Sequence, residues 1–211
     1  MVIAYVGTER CDIPYYMGRI AFSMGKSVLF VDNSNKGDLY RALTNGTGNR
    51  KDTQYGAVVR DCDVTSEEVD AYDVTILYHG QANIRKVDMP YDVMVDYLYV
   101  ASEVNAIEVE DAKNALECTG VKDVPTTFIA RECVTEKFTP QTMATMIGIS
   151  DETCIVLPIA ESDRSKYDAL LNGGSQKCAN VSSDMKYLLA DYMKNVLEVP
   201  EKQTKKMLQK M

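Results

Sequence analysis

Short, β-branched apolar runs that end at turn residues recur down this chain, and stretches with helical spacing lie between them. Val2-Ile3-Ala4-Tyr5-Val6 stops at Gly7, and Ser27–Asp32 is the second such run. Gly56–Arg60, Val74–Tyr78, Val93–Ala101, Thr126–Ala130 and Cys154–Leu157 continue the series. The strongest of these runs are continuously apolar, which suits strands covered on both faces. The first strand, loop, helix and second strand fit within about thirty residues, the length of a βαβ unit with parallel strands. The pattern predicts an α/β fold: a mostly parallel β-sheet flanked by helices on both faces, in three layers.

The helical stretches carry their own punctuation. Met17, Ile20, Ala21 and Met24 place a helix over Tyr15–Met24, with Asp12 as the expected cap, Pro14 in the first turn and Gly25 as the stop. Asp38–Thr44 and a segment opening at Thr65 read as short helices, and Asn45–Asn49 as a loop. Ser102 is the expected cap of a helix through Leu116 that sets Val104, Ile107, Ala112, Ala115 and Leu116 on one side. Thr139-Pro140 opens a helix to Ile147, and Met185–Leu197 forms a long amphipathic stripe. The tail Glu201–Met211 holds four lysines with Met207, Leu208 and Met211 at helical spacing. Its apolar face is too small for firm membrane anchoring, so a frayed, solvated end is expected. These boundaries predict one domain over residues 1–198 and a lysine-rich tail over 199–211.

Charge and cysteine usage narrow the function classes. A net charge of −8 and a pI near 4.8 argue against a nucleic-acid surface, which shows a basic excess. No apolar run approaches the ~20 residues that span a bilayer, and Met1–Val6 lacks the basic start of a signal peptide. The cytoplasm is the expected compartment. The six cysteines (Cys11, Cys62, Cys118, Cys133, Cys154 and Cys178) include no C-x-x-C pair, and His79 is the single histidine. That spacing argues against a zinc site or a disulfide framework and predicts reduced thiols. His79, at a strand's carboxyl end without a nucleophile or metal partner, is expected to be structural.

In doubly wound sheets, ligands bind beyond the carboxyl ends of the strands. The first loop there reads Gly7-Thr8-Glu9-Arg10-Cys11-Asp12-Ile13-Pro14. With the opening strand, the helix and Val28-Leu29-Phe30-Val31-Asp32, it resembles the ParA/MinD family of deviant-Walker P-loop ATPases. Ala71–Tyr78 looks like that family's Walker B strand. Ser102–Leu116 and Cys154–Ile159 with Lys166–Gly173 are similar to its later segments.

The resemblance implies specific losses. The family's signature lysine falls at Thr8, its phosphate-binding lysine at Ile13 and its magnesium-binding hydroxyl at Pro14. Its interior glycines fall at Glu9, Arg10 and Asp12; Asp32 matches an acidic residue, but the catalytic acid falls at Ser34 and the Walker B aspartate at Tyr78. Phosphoryl transfer is mostly positioning and electrostatics, so these losses together leave little to catalyse with. Asp12 also sets a carboxylate at a helix N-terminus, where it competes with phosphate.

The expectation is a non-catalytic pseudo-ATPase with no catalytic residue, no metal and no cofactor, acting as a scaffold or positioning factor. Its partners would be proteins, including itself as a homodimer, with at most weak membrane association. The TadZ/CpaE-like pilus-assembly branch is the setting the resemblance favours. The alternative is an active ATPase, for example in plasmid partition, that binds ATP and Mg with Arg10 or Lys26 as its cation. Arg10 is otherwise expected to be a solvated surface residue, and Tyr15 and Tyr16 to fill the vacated pocket.

Overall fold

The structure is a computed structural model that describes residues 1–44, 46, 48–60, 64–81, 93–132, 138–150, 153–173 and 180–210. Its strands are β1 (Val2–Val6), β2 (Val28–Asp32), β3 (Arg50–Thr53), β4 (Gly56–Arg60), β5 (Val74–Gly80), β6 (Tyr97–Glu103), β7 (Thr126–Arg131) and β8 (Cys154–Leu157). They form one sheet in the order β3-β4-β2-β5-β1-β6-β7-β8. Every pairing is parallel except β3 with β4. The carboxyl ends of β1, β2, β5, β6, β7 and β8 therefore share one edge of the sheet.

Helices α1 (Asp12–Ser23), α2 (Asp38–Thr44), α3 (Ser66–Asp70), α4 (Ala106–Thr119), α5 (Pro140–Ile147), α6 (Glu161–Leu171), α7 (Ser183–Asn195) and α8 (Glu201–Lys210) complete the chain. Strand residues alternate between two cores. Ile3, Tyr5, Phe30 and Ile76 pack with Met17, Ile20, Leu188 and Leu189 from α1 and α7. Ala4, Val6, Leu29 and Leu77 pack with Val69, Val109, Ala112 and Met143 from α3, α4 and α5. Strands β1, β2 and β5 are buried along their whole length because helices cover both faces. The three-layer α/β architecture follows the apolar pattern of the sequence.

Several boundaries differ from the expectation for local reasons. Helix α1 starts at Asp12 with Cys11 as its N-cap residue; Asp12 lies in the first turn instead of capping it. Ser102 is a buried residue of β6, and Asn105 caps α4 by accepting the Glu108 N–H at 2.9 Å. Ile107 sits in the first turn of α4 at 73% exposure, while Val109, Ala112, Ala115 and Thr119 face the core. Strand β3 reads Arg-Lys-Asp-Thr and carries no apolar period; the antiparallel hairpin with β4 alone makes it a strand.

The lysine-rich tail is helix α8, held on α7 with Thr204 and Leu208 buried. Its apolar positions are few but land on an existing core surface, which supplies what an isolated helix lacks. Cys11 and Cys118 are free thiols, whereas Cys62, Cys133 and Cys178 lie outside the described residues. Among the described residues, no helix is long and apolar enough to cross a membrane.

Candidate functional site

The loop Gly7–Cys11 leaves β1 at the centre of the carboxyl edge and turns directly into α1. Gly7 has φ +111°, and a Cβ there would lie 2.0 Å from the Ala101 carbonyl oxygen, so only glycine fits beside β6. Its N–H donates to the Gly80 carbonyl at 2.7 Å, fastening the loop to the end of β5.

A helix N-terminus offers unpaired N–H groups and a partial positive charge, which is what draws phosphate in P-loop proteins. Here carboxylates take those donors. The Cys11 N–H donates to Asp38 Oδ2 at 3.1 Å, and the Ile13 N–H donates to Asp12 Oδ1 at 3.0 Å. Pro14 has no N–H to give.

Asp12 is only 2% exposed, and its charge is matched from β7. Arg131 donates to both carboxylate oxygens, Nη1 to Oδ1 at 3.0 Å and Nη2 to Oδ2 at 2.7 Å. The planar fork of arginine suits this bidentate geometry. Burial by itself pushes the Asp12 carboxyl up, but the Arg131 and Arg10 charges outweigh it and hold the group below its ordinary value. Burial likewise opposes the Arg131 charge, and Asp12 more than offsets that, keeping the guanidinium protonated.

The network extends outward. Arg10 Nη2 lies 3.6 Å from Asp12 Oδ2, and Arg10 Nη1 donates to Glu132 Oε1 at 2.7 Å. Glu132 also receives two bonds from Arg164 of α6, at 3.0 and 2.5 Å. The Arg10 guanidinium stacks over the Tyr167 ring at 4.8 Å. Between Arg10, Arg131, Glu132 and Arg164 remains a cavity of about 20 Å³, room for one water.

A second cluster flanks the loop on the β2 side. Ser34 Oγ lies 2.6 Å from Asp32 Oδ1 and 3.3 Å from Asp38 Oδ1, and accepts the Gly37 N–H at 3.0 Å. Burial pushes the Asp32 carboxyl up to about 7, with the nearby Asp38 charge adding to it. One serine proton cannot serve both carboxylates. The Ser34 hydroxyl donates to Asp32 Oδ1, the nearer of the two, and Asp32 also accepts the Ser34 N–H at 3.1 Å and the Tyr40 N–H at 2.7 Å. Asp38 Oδ2 also accepts the Tyr167 hydroxyl at 3.1 Å, and that hydroxyl reaches the Glu9 carbonyl at 3.2 Å.

Glu9, 8% exposed, turns its carboxylate towards two neighbouring loops. Oε1 accepts the Gln81 N–H at 3.0 Å and the Asn35 amide at 3.4 Å, while Oε2 accepts the Lys36 N–H at 3.4 Å. Gln81 in turn bonds Glu108 of α4 through its side chain. Tyr78 is fully buried with its hydroxyl 3.4 Å from the Thr8 carbonyl, and its ring lies 5.9 Å from that of Tyr5.

Gly7, Thr8, Glu9, Arg10, Cys11, Asp12, Ile13, Pro14, Asp32, Ser34 and Tyr78 thus share one region of the carboxyl edge. Arg10 departs from expectation: its side chain is 13% exposed and ion-paired, not solvated. Tyr15 packs edge-on against Tyr16 and Tyr55 within the helix–sheet core, so it is no plug for the loop. Tyr167 covers the loop instead. Lys26 lies beyond the far end of the 12-residue α1, about 18 Å along the helix axis, and is outside the site. His79 is 3% exposed with neither ring nitrogen partnered among the described residues, and burial pulls its pKa down to about 4. Arg131, Glu132, Arg164, Tyr167 and Asp38 escaped the sequence reading as site residues; for the first two, an Arg-Glu pair at the end of an apolar strand was the available signal.

No protein-family model matches the chain, and no curated protein matches it. Solved structures do. A chain of the MinC:MinD cell division protein complex of Aquifex aeolicus aligns with TM-score 0.59 and 15% identity, over 82% of this chain and 86% of that one. A ParA family ATPase from Chlorobium tepidum aligns with TM-score 0.54 and 16% identity, over 99% and 96%. Cyanthece apo McdA gives TM-score 0.54 and 13% identity, over 99% and 100%. The chain has the MinD/ParA fold. At these identities the likeness establishes architecture, and the carboxyl edge of that fold is where the Asp12–Arg131 pair and the Glu9 contacts lie.

Proposed function

We propose that the chain is a pseudo-ATPase of MinD/ParA type, a cytoplasmic positioning or assembly factor that works through protein contacts and not through ATP hydrolysis. The observation that carries this reading is the buried Asp12–Arg131 pair at the N-terminus of α1. Mg-ATP does not fit the residues present. A carboxylate occupies the helix end, Ile13 and Pro14 offer neither lysine nor hydroxyl, and Tyr78 stands at the expected acidic position. Cys11 and Ile13 already give their N–H groups to carboxylates.

The solved structures that share the fold include a cell division protein complex and a ParA family ATPase, which favours a positioning role. The acidic balance favours protein partners, a second copy of the chain among them, over nucleic acid. Pilus assembly, as in the TadZ/CpaE-like branch, is the setting we favour. The competing reading, an ATPase using Arg10, requires that residue to leave Glu132 and Tyr167.

Thermal melting with and without millimolar Mg-ATP tests the central claim. A ligand at a hundred times its dissociation constant stabilises by about 2.7 kcal/mol, which for a chain this size raises Tm by roughly 5–11 °C. No shift and no phosphate release are expected. A shift in that range, lost in Arg10→Ala, establishes the ATPase reading and ends this one.

A further inference from the structure

In nucleotide switches the terminal phosphate does a structural task apart from chemistry: it draws loops at neighbouring strand ends together and holds them in one state. Such a group needs negative charge, oxygen acceptors and a position between those loops. We infer that the Glu9 carboxylate fills this role within the chain itself, as an internal anion that holds Asn35 and Lys36 after β2 and Gln81 after β5 in one nucleotide-independent arrangement. The inference rests on the pseudo-ATPase reading above and names what replaces the phosphate.

The contacts come from separate parts of the sequence and converge on one side chain. The Gln81 N–H follows β5, and the Lys36 N–H and Asn35 amide follow β2. Backbone N–H groups converging from different loops form a concave anion cradle, and a carboxylate is the acceptor that gains most from it. The backbone carbonyl of the same residue accepts the Tyr167 hydroxyl, which brings α6 into the assembly.

Gly80 makes the approach possible. With φ +60°, a Cβ at that position would lie 2.5 Å from Glu9 Oε1 and 3.1 Å from the Ser34 Cβ. The space is therefore fitted to the carboxylate. Covalent attachment also removes concentration from the equilibrium. A diffusing phosphate orders loops only above its dissociation constant, whereas Glu9 is present at a fixed local concentration in every molecule. A chain built this way presents one partner-binding state continuously and leaves nothing for hydrolysis to release.

Residue-resolved amide hydrogen exchange at Lys36 and Gln81 tests the inference. In the unaltered chain both amides are expected to exchange slowly, and Glu9→Ala is expected to speed them at least tenfold while exchange in β1 and β5 stays unchanged. Inorganic phosphate at 50 mM, added to Glu9→Ala, is expected to restore slow exchange by occupying the vacated cradle. Exchange at both amides unchanged by Glu9→Ala overturns the inference, as does a speeding that phosphate fails to reverse. Should Glu9→Ala not fold, Glu9→Gln, which keeps the shape and loses the charge, is read at the same two amides without phosphate: faster exchange is expected there, and unchanged exchange overturns the inference. Mg-ATP added to the unaltered chain separates the two proposals. A response at these amides refutes the pseudo-ATPase reading, and silence there with no Glu9 effect refutes only the internal anion.

Discussion

Replacing Arg131 by Met removes the charge that matches Asp12 while keeping a long apolar stem in the same space. Both partners are nearly inaccessible, with side chains 4% and 3% exposed, so water cannot solvate the carboxylate left behind. Removing one partner of such a buried pair costs about 3–5 kcal/mol, because the remaining charge is uncompensated. For a chain of this length that corresponds to a fall in Tm of roughly 6–20 °C. Arg10, 3.6 Å from Asp12 Oδ2, offsets part of the loss and favours the lower end of the range.

The pH dependence gives the sharper signature. In the unaltered chain the Asp12 pKa is depressed below its ordinary 3.8, so the pair's stabilisation is present above that value and lost as pH falls through the folded pKa. In Arg131→Met only the Arg10 charge and the Ile13 N–H still oppose the burial effect, and the folded pKa rises. The penalty is then largest at neutral pH and shrinks as acid protonates Asp12. Urea denaturation of Arg131→Met at pH 8 and pH 5 measures both quantities. The double variant Asp12→Asn/Arg131→Met, which leaves no buried charge, is expected to recover most of the loss. A cost under about 1 kcal/mol for the single variant, or strict additivity in the double, refutes the reasoning.

Two further outcomes follow from particular contacts. His79 is buried and held neutral with a pKa of about 4, against 6.5 unfolded, so folding loses stability as pH falls from 6.5 towards 4. His79→Leu removes a pH-dependent loss of about 3 kcal/mol, visible as a flatter Tm between pH 7 and pH 4; an unchanged slope contradicts the assignment. Leu208 is 7% exposed where α8 meets α7, and Leu208→Ala is expected to cost about 2 kcal/mol locally. Faster exchange confined to α8, with a small change in Tm, checks it, and unaltered α8 amides count against the packing.

The apolar runs by themselves placed the buried central strands and implied the layers, because a strand covered on both faces has no room for polar alternation. Val2–Val6, Val28–Asp32 and Val74–Tyr78 read as buried strands and are buried strands. The loop after the first strand was also legible, since the absence of a lysine at Ile13 or a hydroxyl at Pro14 needs no coordinates. What stands in place of those groups was not legible. Arg131 is 119 positions from Asp12 along the chain, and β6 separates their strands in the sheet. Their meeting depends on strand order and on the reach of an arginine, neither of which leaves a local period.

Likewise, Glu9 looks like an ordinary charged loop residue until the ends of β2 and β5 are placed beside it. Strand β3 and helix α8 show the same limit, as each is stabilised by a neighbour and not by its own pattern. Local sequence reports which face of an element is dry. That residues 7–14 hold neither a lysine nor, at Pro14, a hydroxyl could therefore be read from the sequence, whereas the buried charges around that loop were decided by which strand ends the tertiary fold sets side by side.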